Sequence, residues 1–199
     1  MDRDSYLDPL ARLVEPGERV LAYAQAEVGG GVTPPPPPAP ATTGAPDRVT
    51  VTSVLLNLLL PLATWERGDR LVDLVGWGIA GRGASGSAAS RLHEAVSPAR
   101  PDGKLRHTVL AVTDRRLLAC VTGPVKLLSG AADDERSLAG TRVAWAASRA
   151  EVASARVGWH RLNPKRLRID FTDGSWLAFT VPIAESGAPL RGLAAALGD

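Results

Sequence analysis

Cysteine is nearly absent from this 199-residue chain: Cys120 stands alone in the middle of an apolar run. A lone cysteine forms no internal disulfide, and in that setting it reads as a small buried hydrophobe. Cytoplasmic residence fits. Lysine is almost as scarce, with only Lys104, Lys126 and Lys165; every other basic side chain of the Lys/Arg type is arginine. That skew fits GC-rich coding and points to no function. Charge of one sign is lacking too. A net charge of +2 argues against a dedicated nucleic-acid binder, and a pI near 9.0 needs only a small excess of arginine. Long apolar runs are missing. Val54–Ala63, closed by Trp65, is strongly apolar, but Asn57 and Pro61 interrupt it, and a spanning helix needs about 20 apolar residues. The start, Met1-Asp2-Arg3-Asp4, lacks the basic and apolar stretches of a signal peptide.

Chemistry-bearing patterns are sparse as well. His93, His107 and His160 lie far apart, with no second ligand at metal spacing. No serine sits in a G-x-S-x-G elbow, and Cys120 has no evident histidine partner. Gly76-Trp77-Gly78-Ile79-Ala80-Gly81 matches G-x-G-x-x-G, but Gly81–Gly86 is too glycine-rich to begin the helix that a dinucleotide site needs. Glu94 ends no strand. We expect no catalytic set, no metal, no cofactor and no enzyme activity.

What is present is the material of a β-domain. The apolar fraction of 45% is enough for a packed core. Val109–Val121 holds two apolar runs around Thr113-Asp114-Arg115-Arg116 and predicts a hairpin at the centre of a small antiparallel sheet, each run suiting a half-buried surface. Ser5–Val14 predicts a short helix capped by Ser5 and ended by Pro16-Gly17. Arg19–Val28 alternates, with Val20, Ala22, Ala24, Ala26 and Val28 facing one way and Arg19, Tyr23, Gln25 and Glu27 the other. Gly29–Gly31 and the proline run Pro34–Pro38 make a linker. Beyond it, Val54–Trp65 and Asp69–Ile79 carry apolar residues at helical spacing. Gly81–Ser90 reads as a small-residue loop, Arg91–Val96 as a helical turn, and Ala131–Gly140 as a polar loop. Arg142–Ala147 and Val152–Trp159 are strand candidates, and Asn163-Pro164 is expected to turn the chain.

Arg166–Val181 can be worked out in register. A two-residue Asp173-Gly174 turn would put Leu177 and Phe179 on the Arg168 side. A three-residue turn, Thr172-Asp173-Gly174, puts them with Leu167 and Ile169, segregating apolar from charged side chains. We expect the second, a type I turn with a glycine bulge. It leaves Trp176 on the outer face beside Asp170 and near Arg168. The chain closes on a helix capped by Ser186, with Pro189 in its first turn, a stripe of Leu190, Leu193, Ala194 and Leu197, and Gly198 as its stop.

Four stretches carry a resemblance. Glu15-Pro16-Gly17-Glu18-Arg19-Val20-Leu21 resembles the first strand of bacterial pleckstrin-homology-like (PH-like, GRAM-like) domains, and Leu110–Leu118 resembles their "LTDRRLL" hairpin. Ser148-Arg149-Ala150-Glu151-Val152 is similar to the element before their fifth strand, and Phe171-Thr172-Asp173-Gly174-Ser175-Trp176 to their last hairpin. The match covers roughly residues 15–28 and 105–197. It implies a mainly β (α+β) fold: an antiparallel β-sandwich or partly open barrel of about seven strands, capped by a C-terminal helix. On that frame residues 1–28 hold the N-terminal helix and first strand, 29–48 the Gly/Pro-rich linker, 49–104 an apolar helical insertion, and 105–199 the rest of the domain. In eukaryotic PH domains a basic loop between the first two strands often grips phosphoinositide headgroups; here an apolar insertion stands in its place.

The resemblance implies a binding or adaptor module that recognises a protein segment or an anionic membrane surface, cytoplasmic or peripheral at the inner membrane face. Peripheral anchoring through the insertion and homo-oligomeric assembly are the alternatives. The candidate interaction surface is Arg161, Arg166, Arg168 and Trp176 on the sheet, with Leu58, Leu59, Leu62 and Trp65 on the insertion. Whether the insertion packs on the sheet or is presented to a partner is open at this point.

Overall fold

A computed structural model describes residues 3–28, 32–33, 81–97, 106–125, 131–160, 163–181 and 186–198. Nine strands appear among them: β1 (Val20–Val28), β2 (Val32–Thr33), β3 (Gly81–Arg82), β4 (Thr108–Thr113), β5 (Arg116–Val121), β6 (Arg142–Ser148), β7 (Val152–His160), β8 (Asn163–Phe171) and β9 (Trp176–Thr180). The helices are α1 (Leu7–Ala11), α2 (Ala88–Val96), α3 (Ala131–Ala139) and α4 (Ala188–Gly198). β1, β4, β5 and β6 pair antiparallel in that order, and β7, β8 and β9 form a second antiparallel run. β1 belongs to both: Val20–Ala26 pairs with β4, while Glu27 and Val28 pair with Thr180 and Phe179 of β9. The sheet does not close, and α4 packs against β1 and β7 as its cap.

The main core lies between the two layers. Leu110, Val112, Leu117 and Ala119 of the central hairpin meet Leu167, Ile169, Leu177 and Phe179 of β8 and β9, with Leu190 and Leu193 of α4. A second cluster covers the other side of the same hairpin, where Tyr6 and Leu10 pack on Val109, Ala111, Leu118 and Cys120. Val109–Val112 and Leu117–Cys120 are therefore not half-buried but buried on both faces. This is why these runs are continuously apolar instead of alternating. The same cover changes β1. Val20, expected on the side of Ala22 and Ala24, packs instead with Tyr23 in the second cluster, across an irregularity in pairing between Val20 and Ala22.

Local chemistry accounts for the other departures. The N-terminal helix starts with a 3-10 turn, Arg3–Tyr6, and its cap position is Tyr6 with no side-chain bond, so Ser5 does not cap it. Ala131–Ala139 is a helix, not a polar loop. Asp133 and Asp134 suit its first turn, Arg136 reaches Asp133 at 2.6 Å, and buried Ser137 donates to the Gly123 carbonyl at 2.9 Å. Gly81–Ser90 is not all loop either: Gly81-Arg82 pairs with β9, and helix α2 begins at Ala88 behind a Ser87 cap. Asn163 already pairs with His160, so Asn163-Pro164 lies in the strand instead of turning it. Gly187, not Ser186, directly precedes α4.

The last hairpin takes the three-residue register. Ile169 pairs with Leu177, Leu167 with Phe179, and Asp170 with Trp176. The Phe171 N–H donates to the Ser175 carbonyl at 2.8 Å, and Gly174 has φ +80°, a conformation that a Cβ makes costly.

Of the insertion, residues 81–97 pack into the fold. Ala88, Ala89, Leu92 and Val96 of α2 are all in the main core. The β8–β9 turn holds the helix start, since the Ala88 N–H donates to Asp173 Oδ2 at 2.8 Å and the Ala89 N–H to Ser175 Oγ at 3.1 Å. Burial works against ionisation of Asp173, but the Ala88 N–H and the hydroxyl and N–H of Ser175 donate to its carboxyl and hold it below the usual range. The segments Val54–Trp65 and Asp69–Ile79, and with them Leu58, Leu59, Leu62 and Trp65, lie outside the described residues, as does most of the linker.

One buried ion pair joins the first strand to the central hairpin. The Glu18 side chain has no exposure; it accepts from Thr113 Oγ1 at 2.6 Å, Arg116 Nε at 3.0 Å and the Glu15 N–H at 2.8 Å. Arg116 also pairs with Glu15 at 3.0 Å. The Arg116 bonds do most to lower the Glu18 carboxyl to about 2, against burial, with Thr113 and Glu15 adding to them. A carboxyl lowered on folding stabilises above its unfolded pKa, near 4.5, and loses that contribution as pH falls toward 2.

The loss on acidification should be about 3 kcal/mol. A Glu18→Gln chain should be less stable at pH 7 and show a flatter decline between pH 4.5 and pH 2 in urea unfolding; equal slopes would remove the ion pair from this role. Asp173→Ala combined with Ser175→Ala should cost about 1–2 kcal/mol by freeing the first N–H groups of α2. Amide hydrogen exchange should then rise first in residues 88–96.

Candidate interaction face on the second layer

Alternation along β8 places Leu167, Ile169 and Phe171 in the core and Arg166, Arg168 and Asp170 on the outer face. Trp176 opens β9 opposite Asp170, and Ala178 sits opposite Arg168. Across the other edge of β8, Ser154 pairs with Asp170 and Arg156 with Arg168. Arg82 of β3 pairs with Trp176. The outer face is thus a Trp among arginines, with Asp170 near its middle.

Its geometry is ordered from within. The Arg168 guanidinium lies 4.2 Å from the Trp176 ring centroid and the Arg166 guanidinium 5.7 Å, both within cation–π range. Arg168 Nε donates to Asp170 Oδ1 at 2.8 Å, and Ser154 Oγ donates to Oδ2 at 3.2 Å. Arg156 stands 4.0 Å from the same carboxylate, its side chain 66% exposed. One carboxylate therefore serves two guanidiniums. Trp176 is half-buried and Ala178 beneath it buried.

Arg166, Arg168 and Trp176 are thus brought together as the sequence implied, while Arg161 lies outside the described residues. Arg166, expected on the outer face with Arg168, is only 7% exposed there. Nothing local in the sequence points to Arg82, and Arg156 joins the face through its pairing with Arg168. Arg82 follows a glycine in a small-residue stretch, and only its long-range pairing with β9 gives it a place. Its Nε is buried with no hydrogen-bond partner among the described residues.

Cys120 and His107 sit within the fold. Cys120 is fully buried, and burial pushes its thiol up to about 11. His107 Nδ1 is 2.9 Å from the Gln25 amide, whose oxygen accepts from the Tyr6 hydroxyl, so it ties the N-terminal segment to the sheet. Among the described residues no three His, Cys, Asp or Glu side chains gather as a metal-ligand set. No helix among them is long and apolar enough to cross a membrane. Of the glycine motif only Gly81 is described, and it is a strand residue.

No protein-family model, curated protein or solved structure matches the chain. The face must speak through its own chemistry. Trp and Arg are the side chains that most often anchor protein interfaces. Here they are held by a strand pair whose other face is core, so little rotamer freedom remains to be lost on binding.

A double-mutant cycle on Arg168→Ala and Trp176→Leu should give a coupling of about 1 kcal/mol or less, as a half-exposed cation–π contact does. Thermal unfolding of the four proteins measures it. Strict additivity would show the stack to be incidental.

Proposed function

We propose that this chain is a non-enzymatic binding module of PH-like build whose ligand is a segment of another protein. The observation that carries the reading is the preorganised Arg168–Trp176–Asp170 cluster, half-exposed on a rigid layer. The strand arrangement supports it: the resemblance implies an antiparallel sandwich or partly open barrel of about seven strands capped by a C-terminal helix, and β1, β4–β9 and α4 are arranged in that way. A headgroup-gripping loop after the first strand is not favoured. That connection returns as α2, whose apolar residues are in the core and whose first N–H groups are taken by Asp173 and Ser175.

A membrane surface is the rival ligand, and vesicles separate the two. The whole chain should stay in the supernatant with neutral vesicles and with anionic ones at physiological salt. Pelleting with anionic vesicles alone, abolished by Arg168→Glu, would replace the protein ligand with a lipid surface. Pelleting with both, abolished by Leu58→Asp with Leu59→Asp, would make the insertion an anchor.

A further inference from the structure

β7 is an edge. Among the described residues it pairs with β8 on one side only, and Ala153, Ser154, Arg156 and Gly158 along it are exposed. An edge strand presents a row of unused N–H and C=O groups, and natural proteins either blunt such a row or use it. Irregularities in pairing fall near the ends of β7, between Val152 and Ser154 and between Gly158 and His160. They leave Ser154–Gly158 as a regular run of ladder. A Cβ built on Gly158 meets nothing within 4 Å, so the space over that residue is open. Glycine inside a strand also lets a second backbone come close.

We infer that this edge accepts an extended, acidic segment of a partner protein as an added antiparallel strand. The inference rests on the reading of the chain as a binder of protein segments, and it names where the segment lies and what it carries. Charge decides the occupant. Arg156 stands in mid-strand on β7 with its side chain 66% exposed. Asp170 is engaged by Arg168 at 2.8 Å, which leaves Arg156 at 4.0 Å. A carboxylate on an added strand is the group that satisfies Arg156. A second copy of this chain is disfavoured by the same residue. Edge-to-edge pairing about the centre of β7 sets Arg156 against its own counterpart, and like charges directly opposite repel. On the inward side Ala155 and Val157 are half-buried against the main core, giving alternate apolar residues of the segment a surface beside α4.

A random twelve-residue peptide library displayed on phage and selected on the whole chain tests this. The selected pool should be enriched in Asp and Glu alternating with β-branched residues. A synthetic peptide from it should slow amide exchange within residues 152–160. Arg156→Glu should weaken that peptide at least tenfold, and Arg156→Gln, which keeps the length without the charge, by less. A pool with no acidic bias, or protection confined to the Trp176 face, overturns the edge assignment and leaves the protein-segment reading standing. An empty selection overturns both, with Arg156 then only guarding the edge against self-pairing. Concentration-dependent protection of β7 without peptide overturns the choice of partner in favour of a second copy.

Discussion

The structure depends on a carboxylate that water does not reach. Glu18 precedes the first strand by two residues, and Arg116 opens the second strand of the central hairpin. Their pairing fixes where β1 lies against β4, and Thr113 closes the set from the turn between them. Asp114 extends the same clasp outward, accepting from the Arg19 N–H at 3.0 Å while its own N–H donates to the Arg19 carbonyl at 3.0 Å. A buried pair of this kind is costly to desolvate, and its value lies in register: any slip of β1 leaves both charges unpartnered.

The same logic recurs in each stretch that drew attention on paper. Ser148 and Glu151 form a reciprocal cap at the passage from β6 to β7. Arg149 between them donates to the Ala196 carbonyl at 2.6 Å, and its N–H to the Arg115 carbonyl at 3.0 Å, so one turn holds the central hairpin and the closing helix together. Asp173 and Ser175 cap α2. These polar residues act as fasteners between elements far apart in sequence, and this accounts for the recognisable polar residues without requiring any of them to touch a ligand. Arg168, Asp170 and Trp176 of the outer face, by contrast, contact one another.

The central hairpin, the last hairpin and the closing helix were legible because each rests on local periodicity and local turn chemistry. Thr172-Asp173-Gly174 could be chosen over the shorter turn from side-chain segregation alone. Two-sided burial of Val109–Val112 and Leu117–Cys120 was less so, since it depends on Tyr6 and Leu10, a hundred residues upstream. Helices α2 and α3 were read too short or not at all. Small and charged residues dominate them, and each is fixed by a tertiary contact, α2 by Asp173 and α3 by Ser137 against Gly123. Of the face, Arg168 and Trp176 could be paired on paper. Arg82 could not, because no local pattern says that residue 82 will lie beside residue 176.

β1 and β4 lie side by side although about eighty residues separate them along the chain. Bringing the ends of such a loop together costs about 2–3 kcal/mol more than closing a five-residue hairpin. Neighbours so distant are also slow to find each other. Helix α2 divides that connection. Once Leu92 is seated in the core and Ala88 is held by Asp173, one long excursion becomes two shorter ones. In the folded chain the helix inside the insertion thus pins the long connection part-way, so neither remaining stretch spans the whole distance between β1 and β4.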